Sequence, residues 1–248
     1  MKVLILAAGY AVRLKELTQD NPKPLLEVAG QRIIDRIIDK VAALKAAGHI
    51  YIITNGRFFE KFRGWLKGSS CRDRISIIND LTASNETRLG AIRDMEYAVR
   101  QKSIDDDLLV IAGDNLFDFD LAGFLAFAQS RPDGISVALY DIKDLNAAKR
   151  FGVVKVDGDS RITNFEEKPA VPKSTLISTG VYYFPKEKLS LIGEYLKVSD
   201  KIDAPGYYIG WLSETGRVYG YTFSEDWYDI GDIESYQRAD RNYLKKGE

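Results

Sequence analysis

Apolar and polar positions in this chain follow two periods, and the places where the period changes mark its elements. Residues 3–8 form an unbroken apolar run, the pattern of a strand covered on both faces of a parallel sheet. Ile33, Ile34, Ile37, Ile38, Val41 and Leu44 then recur at helical spacing, with Asp35, Arg36, Asp39 and Lys40 opposite, and Gly48 is expected to close that helix. Short buried strands are predicted at 50–54, 75–79, 108–112 and 135–140, with helices over 57–66 and 89–99 between them. Asp120 suits the cap of a further helix carrying Leu121, Phe124, Leu125 and Phe127. Strand alternating with helix over roughly the first 140 residues predicts a doubly wound, mostly parallel α/β sheet.

After Arg150 the texture changes. Runs at 152–156 and 161–166 flank Asp157-Gly158-Asp159-Ser160, a hairpin signal, and 177–184 reads as a strand. Pro185 suits the start of a helix carrying Leu189, Ile192 and Leu196. A short helix at 207–212, a strand at 217–223 and a last helix over 233–243 complete the pattern, the last placing Ile233, Tyr236, Ala239 and Tyr243 on one side. No repeat, low-complexity tract or linker interrupts it. The expectation is one domain over 1–248, with a core at 1–150 and a smaller β-rich lobe at 151–248.

Composition narrows the chemistry. With 35 Lys and Arg against 36 Asp and Glu, the net charge of −1 argues against a general nucleic-acid binder, whose affinity comes from clustered positive charge. One small phosphate-bearing ligand needs only a few placed cations. Cys71 is the only cysteine, so no intrachain disulfide forms, which fits a reducing compartment. The N-terminal apolar run is too short to span a bilayer, and a buried first strand is the favoured reading over a truncated signal peptide. No membrane association is expected, and the cytoplasm is the expected location. His49, the only histidine, follows a helix-ending glycine and reads as structural, and no Cys/His cluster offers a zinc site. Tyr207, Tyr208 and Trp211 offer faces to a sugar or base, with lobe packing the favoured alternative.

The strand at 3–8 runs into Gly9-Tyr10-Ala11-Val12-Arg13, where a glycine allows backbone N–H groups close to a phosphate. The dinucleotide fingerprint fails, because Ala11 and Leu14 stand at its second and third glycines, and no G-K-[ST] follows for a Walker loop. An ordinary tight turn explains this segment equally well. Pro22-Lys23-Pro24 then holds a lysine in a stiff, non-helical frame, which makes sense if it meets a phosphate.

Together these segments carry a resemblance. The run LAAGYAVRLKELTQDNPKPLLEVAGQRII at 6–34 closely resembles the signature of the sugar-1-phosphate nucleotidylyltransferases, LAAGxGxRLxPxTxxxPKPLLxVxGxPI. Leu6, Ala7, Ala8, Gly9, Arg13, Leu14, Thr18, Pro22, Lys23, Pro24, Leu25, Leu26, Val28, Gly30 and Ile33 match. Ala11, Glu16 and Arg32 depart from it. Later segments extend the likeness over nearly the whole chain. The apolar strand ending in Gly113-Asp114 matches the family's G-D, Phe151-Gly152-Val153-Val154 resembles Y-G-V-V, and Glu167-Lys168-Pro169 matches E-K-P. Ser178-Thr179-Gly180-Val181-Tyr182 stands in place of N-A-G-I-Y, and Trp227-Tyr228-Asp229-Ile230-Gly231 resembles W-x-D-x-G.

The resemblance implies a Rossmann-like nucleotide-binding sheet with a small sugar-binding lobe. It implies a nucleotidyltransferase that condenses a nucleoside triphosphate with a sugar 1-phosphate, dTTP or UTP and glucose 1-phosphate being favoured. Leu6, Ala7, Ala8, Gly9, Tyr10, Ala11, Val12, Arg13 and Lys23 would hold the triphosphate, with Asn79, Leu89 and Gly90 near the base. Gly152, Glu167, Lys168 and Gly180 would meet the sugar phosphate, and Asp114 and Asp229 would bind Mg²⁺. Arg13, Lys23, Asp114, Lys168 and Asp229 would be the catalytic set. Arg88 stands where a glycine is common, so base choice stays open; a CTP- or GTP-using relative acting on another sugar phosphate or phosphocholine is the alternative. Family habit allows a homodimer. Two rivals of other kinds remain: a glycosyltransferase using Asp118-Phe119-Asp120 as D-x-D, and a non-catalytic nucleotide-sugar sensor.

Overall fold

The computed structural model describes residues 1–11, 14–18 and 21–246. Its principal elements are β1 (Lys2–Leu6), α1 (Ile33–Ala42), β2 (Ile50–Thr54), α2 (Phe59–Lys67), β3 (Ile75–Asn79), α3 (Ala91–Gln101), β4 (Leu108–Ala112) and β5 (Asn115–Phe117). There follow α4 (Leu121–Gln129), β6 (Ile135–Asp141), β7 (Gly152–Val156), β8 (Ile162–Glu167), β9 (Leu176–Phe184), α5 (Ser190–Val198), α6 (Pro205–Thr215), β10 (Val218–Phe223), β11 (Trp227–Asp229) and α7 (Ile233–Lys246). The fold is α/β, and the chain forms two compact units that interleave in sequence.

The first unit comprises Met1–Arg88, Ile111–Asp118 and Asp226–Glu248. Its strands lie in the order β4-β1-β2-β3. Val3 pairs with Ile50 and Ile50 with Ile75 in parallel register. Val3, Leu4, Ile5, Ile50, Ile52 and Ile53 are fully buried, and α1 buries Ile33, Ile34, Ile37, Ile38 and Val41. The chain thus steps outward from β1 to β3 and returns on the other side of β1 at β4. Such a reversal of strand order opens a crevice at the carboxyl ends of the two central strands.

A short antiparallel ribbon, β5 with β11, follows β4, with Asp229 opposite Asn115 and Trp227 opposite Phe117. Helix α7 then ties back to the start of the chain. Asp240 accepts from the Ala29 amide at 2.7 Å, and the Tyr236 hydroxyl donates to the Glu27 carbonyl at 2.6 Å. At the end of the ribbon, Asp118 accepts from the Tyr243 hydroxyl at 2.7 Å and from Lys246. Lys246 also pairs with Asp226 at 2.6 Å.

The second unit comprises Leu89–Val110 and Phe119–Glu225. Its strands run β8-β7-β9-β4, with β6 joining β9 to β10. Here the β7-β8, β7-β9 and β6-β9 ladders are antiparallel, and β6 with β10 is parallel. The β7–β8 turn forms as its sequence predicts: Asp157 accepts from the Asp159 and Arg161 amides, and Ser160 takes a left-handed φ of 64°. Asp120 caps α4, accepting from the Ala122 and Gly123 amides at 2.9 and 3.0 Å.

Several boundaries differ from the pattern-based expectation. Helix α1 ends at Ala42, well before Gly48, whose amide instead donates to the Met1 carbonyl at 2.9 Å. A Cβ at Gly48 would stand 3.1 Å from that oxygen, so close approach and not capping explains the glycine. Helix α3 starts at Ala91, because Gly90 precedes it with φ +84°. Pro22 leads into one 3-10 turn over Lys23–Leu25, and Pro185 into another over Lys186–Lys188 ahead of α5. Among the described residues no helix is long and apolar enough to cross a membrane.

The Asp118 contacts generate a pH-dependent prediction. Burial opposes ionisation of this carboxyl, but the hydrogen bonds from Lys246 and Tyr243 outweigh it and hold it below its ordinary value of 3.8. A depressed carboxyl contributes stability above its unfolded pKa and loses it as pH falls through the folded one. Asp118→Asn is therefore expected to cost about 1 kcal/mol near neutral pH, less than a fully buried charged hydrogen bond because Asp118 and Lys246 are both partly exposed to screening water. Urea unfolding should show that deficit closing below pH 4, and a deficit independent of pH would assign it to packing.

Candidate active site

In the first unit the crevice between the ends of β1 and β4 is built from backbone outward. Past β1, the Ala7 carbonyl accepts from the Thr54 hydroxyl at 3.2 Å and the Ala8 carbonyl from the Asn55 amide at 2.9 Å. The Tyr10 hydroxyl lies 2.9 Å from the Thr82 hydroxyl, and Thr82 is held by Asp80 through its amide and hydroxyl at 2.7 and 2.8 Å. Thr54, Asn55, Asp80 and Thr82 are all buried, so the loop rests on a polar bed supplied by the ends of β2 and β3. Burial pushes the Asp80 carboxyl above its ordinary value, although the Thr82 hydrogen bonds act against it.

Gly9 is exposed, and a Cβ built on it meets nothing within 4 Å. Packing therefore does not require glycine there, and the space above the loop backbone is open. Ala11 adopts φ 50°, the left-handed region that favours glycine, at the position where the family signature carries one. Val12 and Arg13 lie outside the described residues.

The two motifs singled out for cation and carboxylate meet at the end of β4. The Gly113 amide donates to the Leu6 carbonyl at 2.8 Å, the step that sets the ends of β4 and β1 side by side. A Cβ at Gly113 would stand 2.8 Å from that carbonyl and 3.1 Å from the Pro24 ring, so only glycine admits both. Pro24 is buried, Pro22 holds an extended φ of −68°, and the turn between them aims Lys23 at the next residue of β4's extension. The Lys23 ammonium lies 3.2 Å from an Asp114 carboxylate oxygen, with side-chain exposures of 14% and 34%.

Asp229 reaches the same end of the sheet through the ribbon. It stands opposite Asn115, and the following amide, that of Ile230, donates to the Asp114 carbonyl at 3.1 Å. Two carboxylate-bearing residues far apart in sequence are thereby brought to neighbouring backbone positions.

The second unit holds the other predicted residues. Glu167 ends β8 with its side chain only 8% exposed, and burial raises its carboxyl above the ordinary value despite the opposing Lys168 charge. The Lys168 ammonium is 3.8 Å away and 59% exposed. Lys168 itself sits at φ 48°, its amide tied to the Phe151 carbonyl at 3.0 Å. A lysine held in left-handed backbone beside a buried carboxylate is the kind of strain that surrounding structure must enforce. Gly152 leaves room for the Phe165 ring, which would lie 2.3 Å from a Cβ there. Gly180 takes φ +79° inside the irregular stretch of the β6-β9 ladder, so the backbone alone accounts for it. Gly90 is likewise demanded by φ +84° and by the Ile202 carbonyl, 2.9 Å from where its Cβ would stand.

Other candidates find structural partners. Thr179 is buried and donates to the Ala138 carbonyl at 2.9 Å, and the Ser178 hydroxyl donates to Tyr182 at 3.4 Å. The Asn79 side-chain oxygen accepts from the Leu81 amide at 2.8 Å. His49 meets the Ser76 hydroxyl at 2.8 Å. Asp118 and Asp120, the D-x-D of the glycosyltransferase rival, are engaged as a helix tie and a helix cap respectively. Tyr208 is buried and stacks on Phe184 and Trp211. The polar bed of Thr54, Asn55, Asp80 and Thr82 went unmarked in the sequence reading. Its signal was position: polar residues directly after two buried strands, at the ligand end of the sheet.

Comparison with known proteins agrees with this geometry. Residues 2–246 match the family model described as Nucleotidyl transferase. The chain is similar to the bifunctional protein GlmU of Methanocaldococcus jannaschii, 32% identical across 99% of this chain and 55% of that protein. It therefore spans about half the length of that curated relative. It is also similar to a crystal structure of a Bacillus anthracis protein described as a glucose-1-phosphate thymidylyltransferase, solved in complex with sucrose. That match has TM-score 0.80 and 26% identity, over 98% of this chain and 95% of that one.

Two substitutions test the backbone of the crevice. Gly113→Ala should lose about 2–3 kcal/mol in chemical denaturation, because the clash is with a carbonyl and a proline ring that cannot swing away. Ala11→Gly should gain roughly 0.5–1 kcal/mol, since relief of about 1–2 kcal/mol of left-handed strain exceeds the chain entropy glycine adds. A loss of stability in the glycine variant would show that Ala11 is not strained.

Proposed function

Because the chain belongs to the nucleotidyl transferase family, we propose that it joins a nucleoside triphosphate to a sugar 1-phosphate and releases pyrophosphate. The observation that carries this reading is the Lys23–Asp114 ion pair beside an open glycine loop at the carboxyl ends of β1 and β4, with Asp229 one ribbon register away. The favoured pair is dTTP or UTP with glucose 1-phosphate, a preference supported by the description of the Bacillus anthracis neighbour.

The reaction needs no covalent enzyme intermediate. An anionic oxygen of the sugar phosphate attacks the α-phosphorus, a new P–O bond forms, and the bridging bond to the β-phosphate breaks. Pyrophosphate leaves with that electron pair. The barrier lies in bringing polyanions together, so positioning and charge neutralisation dominate. The Gly9 loop presents backbone N–H groups to the triphosphate, and its polar bed keeps it from yielding as charge accumulates. Arg13 steadies the departing pyrophosphate. Lys23, paired with Asp114 in the free protein, turns to the α-phosphate. Lys168 holds the attacking phosphate and Glu167 accepts from sugar hydroxyls. Asp114 and Asp229 are the residues that would hold Mg²⁺, which supplies charge neutralisation to the triphosphate when bound.

The test is pyrophosphate release with Mg²⁺ across the common nucleoside triphosphates and a panel of sugar 1-phosphates, with phosphocholine included. Release that requires one pair fixes both substrates, and triphosphate binding without release from any pair points to a regulatory protein. Lys23→Ala and Asp229→Asn should each lower kcat by about 100-fold or more while leaving thermal stability within a few degrees. Full turnover in either variant removes that residue from the mechanism.

A further inference from the structure

The turn that ends β3 holds a backbone conformation its own sequence does not favour. Leu81 adopts φ 66°, the left-handed region in which a bulky residue is an outlier, and the residue is 73% exposed. Packing of the leucine side chain therefore does not explain the strain. Hydrogen bonds around it do. The Asn79 side-chain oxygen accepts from the Leu81 amide at 2.8 Å, and one Asp80 carboxylate oxygen accepts from the Thr82 amide at 2.7 Å. The Gly56 amide donates to the Thr82 carbonyl at 2.8 Å, and a Cβ on Gly56 would stand 2.8 Å from that oxygen. Thr82 is thus buried and fixed at both its amide and its carbonyl.

The strained turn delivers the Thr82 hydroxyl, and the direction of its hydrogen bonds follows by elimination. Its single proton goes to the same Asp80 oxygen at 2.8 Å. Toward the Tyr10 hydroxyl, 2.9 Å away, it can then only accept, so Tyr10 is the donor. The other Asp80 oxygen is buried and has no hydrogen-bond partner among the described residues. Tyr10 precedes Ala11, whose φ of 50° is a second strained position. The far side of Ala11 is held as well, its carbonyl accepting from the Thr18 hydroxyl at 3.0 Å and the Leu14 amide at 3.1 Å. The first loop is gripped on both flanks of its strained residue.

We propose that the turn at 79–82 is a clamp that pre-sets this loop, with Asp80 and Thr82 as positioning residues that act through Tyr10. The clamp holds Ala11 in left-handed backbone before a ligand arrives, so the triphosphate meets a loop already ordered. This rests on the reading given under Proposed function, in which the loop takes the triphosphate.

Thr82→Val keeps the shape of the side chain and removes its hydroxyl. The variant should raise the triphosphate KM about ten-fold, the loss expected for one hydrogen bond to a buried partner, with kcat and the sugar 1-phosphate KM little changed. Calorimetric binding of dTTP or UTP should weaken by the same factor. Thr82→Ser restores the hydroxyl and should recover most of the loss, which a packing defect would not allow, because serine leaves the space of the methyl empty. Asp80→Asn keeps an oxygen for both Thr82 bonds and should lose less than Asp80→Ala. Tyr10→Phe should match Thr82→Val, and the double variant should be no worse than either alone. Unaltered triphosphate binding in Thr82→Val, or in Tyr10→Phe if the valine variant does not fold, overturns the clamp and leaves the transferase reading standing. Additive losses in the double variant overturn the route through Tyr10. A wild type that binds triphosphate but releases pyrophosphate from no pair overturns the transferase reading, and the same titrations still decide the clamp. A wild type that binds no triphosphate overturns both.

Discussion

The Gly113 amide donates to the Leu6 carbonyl at 2.8 Å, and the same bare α-carbon accepts the Pro24 ring. From that contact the rest of the first unit's site follows. It aligns the ends of β1 and β4, so the loop after one strand and the carboxylate after the other open on the same crevice. It seats the turn that carries Lys23, which then falls 3.2 Å from Asp114. The ribbon of β5 and β11 starts directly after Asp114 and delivers Asp229 by register alone. Each charged group is placed by backbone geometry and needs little help from its own side-chain packing.

The second unit reaches a similar result by subtraction. Glu167 is buried among Phe165 and two glycines, and its neighbour Lys168 stays in water on a strained backbone. Desolvation raises the carboxyl and the ammonium beside it holds that rise in check.

Much of this was legible in the sequence because it depends on periodicity. The strands at 50–54, 75–79 and 108–112 appear where their apolar runs predict them, since a strand inside a parallel sheet is covered on both faces to a large extent. The Asp120 cap and the Asp157–Ser160 turn were equally plain, being local hydrogen-bond chemistry. Glycines were harder to read. Gly48, Gly113 and Gly206 each answer to an atom distant in sequence, and nothing in their own neighbourhood announces it. Gly180 and Gly90, expected at ligands, are required by left-handed backbone. The polar bed under the first loop was missed for a related reason: Thr54, Asn55 and Thr82 look like ordinary strand-end residues until the loop they support is seen above them.

The ribbon also orders events during synthesis. Asp114 emerges early, but its partner strand lies beyond residue 226, after the whole of 119–225 has been made. The nascent chain therefore carries a glycine loop, a lysine and one carboxylate throughout the synthesis of 119–225, without the second carboxylate opposite. Only when α7 follows, with Asp240 and Tyr236 reaching back to residues 27–29, is the first unit closed. The carboxylate pair is thus completed only after the whole of 119–225 has been made, and a chain cut short before residue 226 holds only one half of it.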